Sequence, residues 1–498
     1  MATMLAVDLG AQSGRVALGR FDGERLSVSR VHRFPNVPVR TRGTLYWDIL
    51  SLYEGVLEGV RAATREAVQV DSIGVDSWAV DFGLLDRRGR LIQNPVHYRD
   101  ARRASSVERV LAVVPARELY QRTGIQLLPI NTIFELAAMA LEADPAIEIA
   151  HHLLLIPDLL HYWLAGVRVT EFTNATTTQC FDAHERDWAV DLLDRLDVPT
   201  RLLPEVLRAG SVIGPISADV AEETGLDGTQ VVATATHDTA AAVAAIPFQE
   251  QGAAYISAGT WSLVGVEVHE PLIDDRSFAA NLTNEGGVEG RVRLLRNVTG
   301  LWLLHECRRI WGTTGSSSFD ELIELARAAA PLRSLIDVDD PLFAAPGDMP
   351  RRVQEFCAGT GQPIPDDRGG TVRCILESLA LKHLEAIELL RKAAGASPAT
   401  VHIVGGGSRN ELLCQMTADA TGLPVIAGPA EATEIGNLLV QAMALDELLS
   451  LDQAREVVRA SFQTLSYEPR DWHVWREARQ RLEQIVSASQ PAKEEVTP

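Results

Sequence analysis

The chain has 498 residues, of which 46% are hydrophobic and 23% are charged, and this balance excludes a disordered, collagen-like or coiled-coil protein. One hydrophobic core stops growing at roughly 250–300 residues, so we expect two domains. The formal net charge of −21 argues against a nucleic-acid partner, because an acidic surface repels phosphate backbones. A small phosphate ligand is not excluded, since backbone amides and a divalent ion can bind it.

Lysine is nearly absent, so a lysine-dependent mechanism has few candidates, which are Lys382, Lys392 and Lys493. The five cysteines form neither a CxxC pair nor a zinc-type pattern. The first residues lack a basic region with a cleavage site, and no apolar run approaches the roughly 20 residues that span a bilayer. We therefore expect a cytoplasmic protein with reduced thiols and no membrane partner, with pairing of Cys357 and Cys374 as the alternative.

The first half of the chain begins with a predicted β-hairpin. Two short apolar stretches, 4–8 and 16–21, are joined by a turn over 10–14 that contains two glycines and a serine. An amphipathic helix is predicted over 48–66, because its apolar residues share one face. Further predicted elements are a strand over 71–76, apolar pairs flanking a turn over 86–90, a helix over 151–165, a strand over 230–235 and an alanine-rich helix after it.

The pattern restarts after Pro247, with a strand over 253–257, a glycine turn and a strand over 262–268. This repeats the N-terminal hairpin about 250 residues later and indicates two similar domains. We place them at 1–245 and 246–486, with a disordered tail over 487–498. Other predicted elements are a helix over 371–394 stopped by Gly395, a strand over 401–404, a triple glycine and a helix from about 410.

Two common kinds of nucleotide site are excluded by their motifs. The chain contains no GxxxxGK[ST] loop, and the glycine-loop, HRD and DFG motifs of protein kinases are missing. The segment from Gly405 through Gly407 to Asn410 resembles a dinucleotide-binding loop, but Asn410 replaces its third glycine. A tight strand–helix turn explains that segment equally well.

The two predicted hairpins are candidate phosphate sites. Small residues in the turn over 10–14 let backbone amides approach a polyphosphate, and the neighbouring Asp8 can hold magnesium. Gly259 and Thr260 occupy the same place in the second hairpin. Either turn alone is weak evidence, but two in equivalent places can hold a phosphate chain from both sides of an interdomain cleft.

Asp238 is the candidate catalytic residue. It follows a predicted strand at the start of a helix, where an aspartate is often an ordinary N-cap. The carboxyl end of a strand beside a helix is also where α/β proteins place ligands, and His237 and Thr239 add polar groups there. An aspartate in that position can accept the proton of an attacking hydroxyl in phosphoryl transfer. Composition alone leaves both explanations open.

A polar–aromatic group suits a sugar, which has hydroxyls on its edge and C–H bonds on its face. An apolar core with solvated charges explains the same residues equally well. The group consists of Asp76, Trp78, Asp81, Tyr98, Arg99 and Asp100.

Taken together, the motifs resemble those of the FGGY family of sugar kinases, and they occur in the same order along nearly the whole chain. They are VDLGAQSGRV at 7–16, DSIGVDSWAVDFGLLD at 71–86, YRDAR at 98–102, TNATTTQ at 173–179, ATHDTA at 235–240, SAGTWSL at 257–263, NLTNEGG at 281–287, NVTGLWLL at 297–304 and HIVGGGSRN at 402–410. The resemblance implies an α/β fold with two ribonuclease H-like domains of the actin/hexokinase type around an interdomain cleft.

The resemblance also implies a reaction, the ATP-dependent phosphorylation of L-rhamnulose at its 1-hydroxyl with magnesium. The segments VDFGLLD, TNATTTQ and NEGG favour this substrate within the family. Asp238 would be the general base, with Asp8 helping to place magnesium. The sugar contacts would be His237, Thr239 and Asn297. The nucleotide contacts would be Ala11, Gln12, Ser13, Gly14, Arg15 and Thr260 at the phosphates and Gly406 beside the adenine nucleotide.

Two departures from the family pattern bear on specificity. Ala79 stands at a sugar-contacting position where the family usually has glycine, and His305 stands near the nucleotide where relatives carry glutamine. We keep three alternatives: a kinase for another deoxy-ketose such as L-fuculose, an actin-like or chaperone-like ATPase, and an inactive sugar sensor. The expected partners are a sugar and MgATP, and the expected state is a monomer or small homo-oligomer.

Overall fold

The computed structural model describes residues 1–66, 69–249, 252–312, 318–395 and 397–489. It divides into two compact units, each made of three segments. Unit 1 consists of Met1–Gln251, Val266–Leu295 and Glu431–Gln463, and unit 2 consists of Gly252–Gly265, Arg296–Ala430 and Thr464–Pro498. The predicted domains are continuous stretches, whereas unit 1 includes two segments from the second half of the chain. The boundary at residue 245 stays a prediction.

Most strands are short, and the longest lie near the N-terminus. They are β1 Ala2–Leu9, β2 Ser13–Phe21, β3 Leu26–Pro35, β4 Val39–Thr41, β5 Thr44–Tyr46, β6 Ser72–Ser77, β7 Phe82–Leu85, β8 His152–Leu155, β9 Val169–Glu171, β10 Phe181–Asp182, β11 Asp187–Trp188, β12 Glu205–Leu207, β13 Ser211–Pro215, β14 Gln230–Ala233, β15 Ala254–Ala258, β16 Trp261–Val268, β17 Thr283–Gly286, β18 Val292–Thr299, β19 Val401–Val404, β20 Val425–Ala427 and β21 Leu465–Tyr467.

The helices range from one turn to 27 residues. They are α1 Ile49–Glu66, α2 Arg102–Val113, α3 Ala116–Thr123, α4 Thr132–Leu141, α5 Pro145–Ile149, α6 Ile156–Ala165, α7 Phe172–Ala175, α8 Val190–Asp194, α9 Ala218–Thr224, α10 Asp238–Ala244, α11 Asp275–Ala279, α12 Trp302–Gly312, α13 Phe319–Ala328, α14 Met349–Gly359, α15 Arg368–Ala394, α16 Glu411–Thr421, α17 Ala432–Ala444, α18 Leu451–Ser461 and α19 Trp472–Ser489.

Unit 1 is built on a mixed sheet with the strand order β13-β14-β6-β1-β2-β3. β1 pairs antiparallel with β2 and parallel with β6, and β6 pairs parallel with β14. β1 and β6 are buried along nearly their whole length, as expected for central strands covered on both faces. α17 packs closely on α10, since a Cβ on Gly436 would lie 1.7 Å from the Ala241 carbonyl oxygen. Glycine therefore sets how near α10 approaches α17.

In unit 2 the strands follow the order β18-β16-β15-β19-β20-β21. Two of these strands are divided between the units, since β16 belongs to unit 2 only up to Gly265 and β18 only from Arg296 onward. β15, β19 and β20 are parallel, and β21 is antiparallel to β20. The long helix α15 begins after the cap Asp367 and ends at Gly395, which has a φ of 64°. A left-handed residue at that position suits glycine, so the predicted stop is confirmed.

The N-terminal hairpin, the helix over 48–66 and the strand over 401–404 are confirmed as β1–β2, α1 and β19. The helix predicted over 151–165 is wrong in its first part, because His152–Leu155 pairs with β7 and the helix begins at Ile156. Pro157 in the first turn marks that start, since proline suits this position. The predicted disordered tail is also wrong at its start, because α19 extends to Ser489. The rest of the tail, 490–498, lies outside the described residues.

Candidate active site

The N-terminal hairpin turn is held from one side by Asn36. The amide of Gly10 donates to the carbonyl oxygen of Ser13 at 3.1 Å, which closes the turn. Asn36 donates from its side chain to the Gly10 carbonyl at 3.0 Å and from its amide to the Gln12 carbonyl at 3.0 Å. A Cβ on Gly14 would lie 2.2 Å from the Phe34 ring, so only glycine fits there. The predicted phosphate turn, including Ala11, is thus a tight and fixed loop.

Asp8 and Arg15 face each other across this hairpin. They are register partners on β1 and β2, and Arg15 Nη1 donates to Asp8 Oδ2 at 2.7 Å. The carboxylate is buried, while about a third of the arginine side chain stays exposed. Burial raises the pKa of Asp8, and the Arg15 charge opposes that rise. Arg15 is therefore fixed by the same carboxylate that we expect to place magnesium.

Asp76 lies beside Asp8, because the two are register partners on the parallel strands β6 and β1. Asn437 Nδ2 donates to Asp76 Oδ2 at 2.6 Å, whereas the buried Oδ1 atom has no hydrogen-bond partner among the residues that the structure describes. Burial, and then the charge of Asp8, raises the pKa of Asp76 well above its usual range. An unpartnered carboxyl oxygen next to a second carboxylate is suited to a cation.

Glu434 on α17 adds a third buried carboxyl to this region. It accepts from Arg30 at 3.0 Å, and burial followed by the charge of Asp8 raises its pKa to about 7. Carboxylate oxygens are the donors that Mg²⁺ prefers, and magnesium usually keeps several waters and takes one or two carboxylates. Among the described residues no three acidic, histidine or cysteine side chains converge as a metal-binding group. Asp8 and Asp76 fit a magnesium ion held largely through water.

Asp238 is the first residue of α10, and its side chain does not cap that helix. His237 is the N-cap residue, and Asp238 Oδ1 instead accepts from Thr239 Oγ1 at 3.1 Å. A third of the Asp238 side chain is exposed, so a ligand can reach it. Burial of the carboxyl group, and then the charge of Asp8, raises its pKa to about 7. A reachable carboxyl with that pKa can exchange a proton near neutral pH.

The backbone before Asp238 is anchored by Glu171. This buried carboxylate accepts from the Thr236 amide at 3.0 Å and from Thr236 Oγ1 at 2.9 Å. It also accepts from Thr173 Oγ1 at 2.5 Å, and the His237 amide donates to that oxygen at 3.3 Å. Glu171 and Thr173, the first residue of the TNATTTQ motif, thus hold the backbone of residues 236 and 237 directly before Asp238.

His237 carries no charge at neutral pH. Burial, and then the positive charge of Arg293, lowers its pKa well below the usual range. Its Nε2 atom lies 3.4 Å from Asp238 Oδ1. The structure therefore brings His237, Asp238 and Thr239 together as three polar side chains on one short segment.

The polar–aromatic group divides into two parts. Asp76 faces Asp8, whereas Asp81 is buried and accepts from the indole nitrogens of Trp47 at 2.6 Å and Trp78 at 3.0 Å. The rings of Trp47 and Trp78 lie 4.2 Å apart. Asp81 therefore orders an aromatic cluster, and its other carboxyl oxygen accepts from the buried Arg103 at 2.5 Å.

Ala79 is half-buried and lies at the end of this cluster. The next residue, Val80, has a φ of 66°, which is a strained value for a β-branched side chain. The Val80 carbonyl accepts from Thr132 Oγ1 at 2.6 Å, and the Asp81 amide donates to the Ala79 carbonyl at 2.9 Å. Strain of this kind persists only where surrounding contacts impose it, and it clusters at functional sites.

In unit 2 the second hairpin turn is packed against the start of α12. The Thr260 carbonyl accepts from the amides of Gly300 at 3.1 Å and Trp302 at 3.2 Å. A Cβ on Gly300 would lie 2.4 Å from the backbone of Trp261, so this approach requires glycine. Thr260 is thereby held at the turn that follows β15.

The triple glycine lies beside the same strand end. Gly405 has a φ of 78°, and a Cβ on Gly407 would lie 2.4 Å from the Ala258 side chain. A Cβ on Gly406 would have no atom of the described residues within 4 Å. Gly406 therefore faces open space at the carboxyl ends of parallel strands, where open α/β sheets bind ligands.

Asn297 on β18 and His305 on α12 also belong to unit 2, and both are half-buried. Burial lowers the pKa of His305 to about 4, so its ring is neutral. Within the described part of the chain, its buried Nδ1 atom has no hydrogen-bond partner. An unpartnered ring nitrogen is suited to a ligand contact in place of glutamine.

The structure thus divides the predicted residues into one group per unit. The unit 1 group contains Asp8, Ala11, Gln12, Ser13, Gly14, Arg15, Ala79, His237, Asp238 and Thr239, and the unit 2 group contains Thr260, Asn297, His305 and Gly406. Sequence reasoning missed Asn36, Asn437 and Glu434, because no local pattern marks a partner that is distant in sequence. Two neighbours of His237, Glu285 and Asp238, do lie in motifs that the sequence shows, NEGG and ATHDTA.

Within the described part of the chain, no helix is long and apolar enough to cross a membrane. The matches to known proteins span both halves of the sequence. The FGGY family of carbohydrate kinases, N-terminal domain, matches residues 3–245, and the C-terminal domain of the same family matches residues 254–445.

Relatives named rhamnulokinase match over most of their length. The protein of Bacteroides thetaiotaomicron is 43% identical over 94% of this chain and 96% of its own. That of Oceanobacillus iheyensis is 39% identical over 93% of this chain and 97% of its own. That of Enterobacter sp. is 40% identical over 94% and 95% of the two chains.

Solved structures of sugar kinases share the fold at low sequence identity. A ligand-bound xylulose kinase from Lactobacillus acidophilus matches with a TM-score of 0.81 at 17% identity, covering 98% of both chains. Glycerol kinase of Plasmodium falciparum with ADP matches with a TM-score of 0.76 at 15% identity, covering 98% and 97%. The predicted two-domain α/β fold of the actin/hexokinase type is confirmed. Both family domains match, together covering most of the sequence, and this chain therefore belongs to the FGGY family of carbohydrate kinases.

Proposed function

We propose that this chain transfers the γ-phosphoryl group of ATP to the 1-hydroxyl of L-rhamnulose, forming L-rhamnulose 1-phosphate and ADP. The three relatives named rhamnulokinase support this substrate, at 39–43% identity over 93–94% of the chain. The observation in the site that carries the proposal is the reachable carboxyl group of Asp238, whose pKa burial raises to about 7.

Asp238 is proposed as the general base. Its ionised carboxylate accepts the proton of the 1-hydroxyl while the sugar oxygen bonds to the γ-phosphorus and the bond to the bridging oxygen of ADP breaks. A base works best when its pKa lies near the working pH, because it is then both ionised and strongly basic. The geometry around Thr239 supports this role, since its hydroxyl orients the carboxylate.

The sugar is proposed to contact His237, Thr239, Asn297 and the backbone near Ala79. A neutral His237 can donate one hydrogen bond to a sugar oxygen without competing for the charge of Asp238. The strained backbone at Val80 supports a specific geometry for Ala79, because Asp81 and Thr132 hold it in place.

The phosphates of ATP are proposed to lie at the turn over 11–15 and at Thr260, with Gly406 and His305 beside the rest of the nucleotide. Magnesium, when bound with ATP, neutralises charge on the phosphates. Asp8 and Asp76 would hold it, directly or through water. Arg15 supplies the nearest positive side chain on the hairpin.

Lysine is not proposed to assist the reaction. Lys382 lies within 3.4 Å of carboxylate oxygens of Asp337, Asp339 and Glu385, so its charge is already balanced. The family domain matches, which end at residue 245 and begin again at residue 254, support a division of the chain near residue 245. The cytoplasmic location and the oligomeric state stay predictions.

A kinase for another deoxy-ketose such as L-fuculose is the second candidate, because Ala79 adds a methyl group at a proposed sugar contact. The experiment is ADP release by the purified protein with MgATP and L-rhamnulose, L-fuculose, L-ribulose, D-xylulose or glycerol. A preference for L-rhamnulose supports the proposal, and a preference for another ketose supports the second candidate. ATP hydrolysis that ignores every sugar would refute both.

A further inference from the structure

The guanidinium group of Arg293 is fully buried in unit 1, and all three of its nitrogens face a partner. Nε donates to the Gly286 carbonyl at 2.9 Å, and Nη1 lies 3.2 Å from Glu285 Oε2. Nη2 lies 3.0 Å from His237 Nδ1. A buried arginine with a fixed fork orients whatever accepts from it.

Residues of the NLTNEGG and TNATTTQ motifs, to which the proposed reaction assigns no role, hold the Arg293 guanidinium in place. Glu285 and Arg293 are register partners on β17 and β18. The amide of the next residue, Gly286, donates to Thr176 Oγ1 at 2.8 Å in the threonine-rich run. A Cβ on Gly286 would lie 2.5 Å from the Phe172 ring, so the close approach requires glycine.

The Arg293 contact decides which nitrogen of His237 carries the proton. Arginine donates hydrogen bonds and cannot accept one, so His237 Nδ1 must offer its lone pair at 3.0 Å. A neutral ring then carries its hydrogen on Nε2. That atom lies 3.4 Å from Asp238 Oδ1, on the side of the proposed general base.

We propose that Arg293, aligned by Glu285, is a positioning residue that holds His237 as a neutral imidazole with its proton on Nε2, so that His237 stays a hydrogen-bond donor beside Asp238. This inference rests on the proposed function only through the role given to Asp238. The tautomer itself is a property of the protein without substrate.

Among the described residues, the charged groups that face His237 are Arg293, Glu285 and Asp238. Without Arg293 the two carboxylates would favour a second proton on the ring, since opposite charges stabilise each other. An imidazolium beside Asp238 would lower the pKa of that carboxyl group and weaken it as a base. Arg293 therefore keeps His237 neutral, while its own charge also lowers the pKa of Asp238 to a smaller extent than burial raises it.

The first test is nitrogen NMR of the full-length protein with ¹⁵N-labelled histidine and no ligand. The His237 signals are identified by their loss in His237→Gln. We expect ring shifts of a neutral imidazole with its proton on Nε2 throughout pH 6 to 8. A proton on Nδ1, donated to Glu285 at 3.4 Å, would overturn the proposal, and so would a charged ring at pH 7.

The second test removes the pair. Arg293→Met with Glu285→Gln takes away both charges, because a buried carboxylate left alone is strongly destabilising. We expect His237 to lose its single tautomer and to titrate nearer its ordinary pKa. Arg293→Lys keeps a group that can only donate and is expected to retain the Nε2 proton. Unchanged His237 signals in the folded double variant would contradict the inference.

The matched control removes a buried ion pair in unit 2. Arg373 Nε lies 2.7 Å from Glu377 Oε1, and both side chains are largely buried. Arg373→Met with Glu377→Gln is expected to leave the His237 signals unchanged. A similar change in this control would attribute the effect to general loosening and refute a specific role for Arg293.

Turnover gives a readout that separates this inference from the proposed function. With L-rhamnulose we expect kcat of the Arg293/Glu285 double variant to fall about tenfold, roughly one hydrogen bond, with KM for MgATP unchanged. Arg293→Lys should restore most of the loss in kcat. Wild-type protein inactive with every sugar would refute the proposed function, while the ring-nitrogen result would still decide the role of Arg293.

Discussion

Asp8 and Asp76 are register partners on two adjacent parallel strands, and both carboxyl groups are buried. Burial, and then the charge of Asp8, raises the pKa of Asp76, while Asn437 donates to one of its oxygens at 2.6 Å. The same charge of Asp8 contributes to the raised pKa of Asp238. The unit 1 site therefore contains buried carboxyl groups whose charges influence one another, and we propose that they serve a cation and a proton acceptor.

Asp238→Asn should abolish most of the turnover while leaving nucleotide binding in place. The amide keeps the shape of the side chain but cannot accept the sugar proton, so we expect kcat to fall at least about 10²-fold. Steady-state ADP release measures kcat, and KM for MgATP serves as the control because Asp238 is not a proposed nucleotide contact. Turnover close to that of the wild type would remove Asp238 from the role of base.

The turnover rate should depend on pH through Asp238. The base must be ionised, and its pKa is raised to about 7, so kcat should rise with pH and level off above that value. Thr239→Val removes a hydrogen bond to the ionised carboxylate and should move this limb to higher pH. Profiles of kcat at saturating substrate from pH 5.5 to 8.5 measure both effects. A flat wild-type profile would contradict the assignment.

Asp238→Asn should also make the protein more stable at alkaline pH. The pKa of Asp238 is raised from 3.8 in the unfolded chain to about 7 in the folded protein, so the folded state binds the extra proton between those values. Stability from this group is fully present below pH 3.8 and is lost as pH rises through 7. We expect the Tm of the variant to exceed that of the wild type at pH 8 and to approach it at pH 5. An equal difference at both pH values would refute the linkage.

Asp81→Ala should destabilise unit 1 strongly. It removes the acceptor shared by two indole nitrogens and takes from the buried guanidinium of Arg103 one of its two carboxylate partners, the other being Glu135. We expect a loss of about 3 kcal/mol in the free energy of unfolding, measured in urea. The matched control is Glu355→Ala, which breaks an exposed pair with Arg351 and should cost at most about 0.5 kcal/mol. Equal losses in both variants would contradict a structural role for Asp81.

Gly406→Ala should weaken ATP binding without weakening the fold. Its added methyl group meets open space, whereas the same change at Gly407 would press on Ala258. We expect Gly406→Ala to raise KM for ATP by up to about tenfold with an unchanged Tm. The matched variant Gly407→Ala should lose about 1–3 kcal/mol of stability. An unchanged KM for ATP in Gly406→Ala would place the nucleotide elsewhere.

Several features of the site were predictable from short stretches of sequence. The hairpin at 4–21 is visible because apolar stretches flank a glycine turn, and such local patterns depend on neighbours in the chain. Asp238 stands out because a strand ends just before it. The proposed reaction also follows from ordered motifs, which carry family information that no single residue holds.

Predictions from local sequence patterns were wrong where contacts between distant residues determine the structure. The stretch 152–155 has a helix-like apolar pattern but pairs with β7 as a strand, because a partner strand was available. Asp81 looked like a sugar contact, yet two indoles and an arginine use its oxygens. Neither the strand pairing of 152–155 nor the partners of Asp81 can be predicted from the residues next to them in the sequence.

The sequence by itself determined the family, the two hairpins and the candidate base Asp238. Only the tertiary structure decided the environment of these residues. Asn437 bonds to Asp76 although 361 positions separate them, and Arg293 bonds to His237 across 56 positions. Burial and distant partners set the charge and proton position of a side chain, and folding alone creates both.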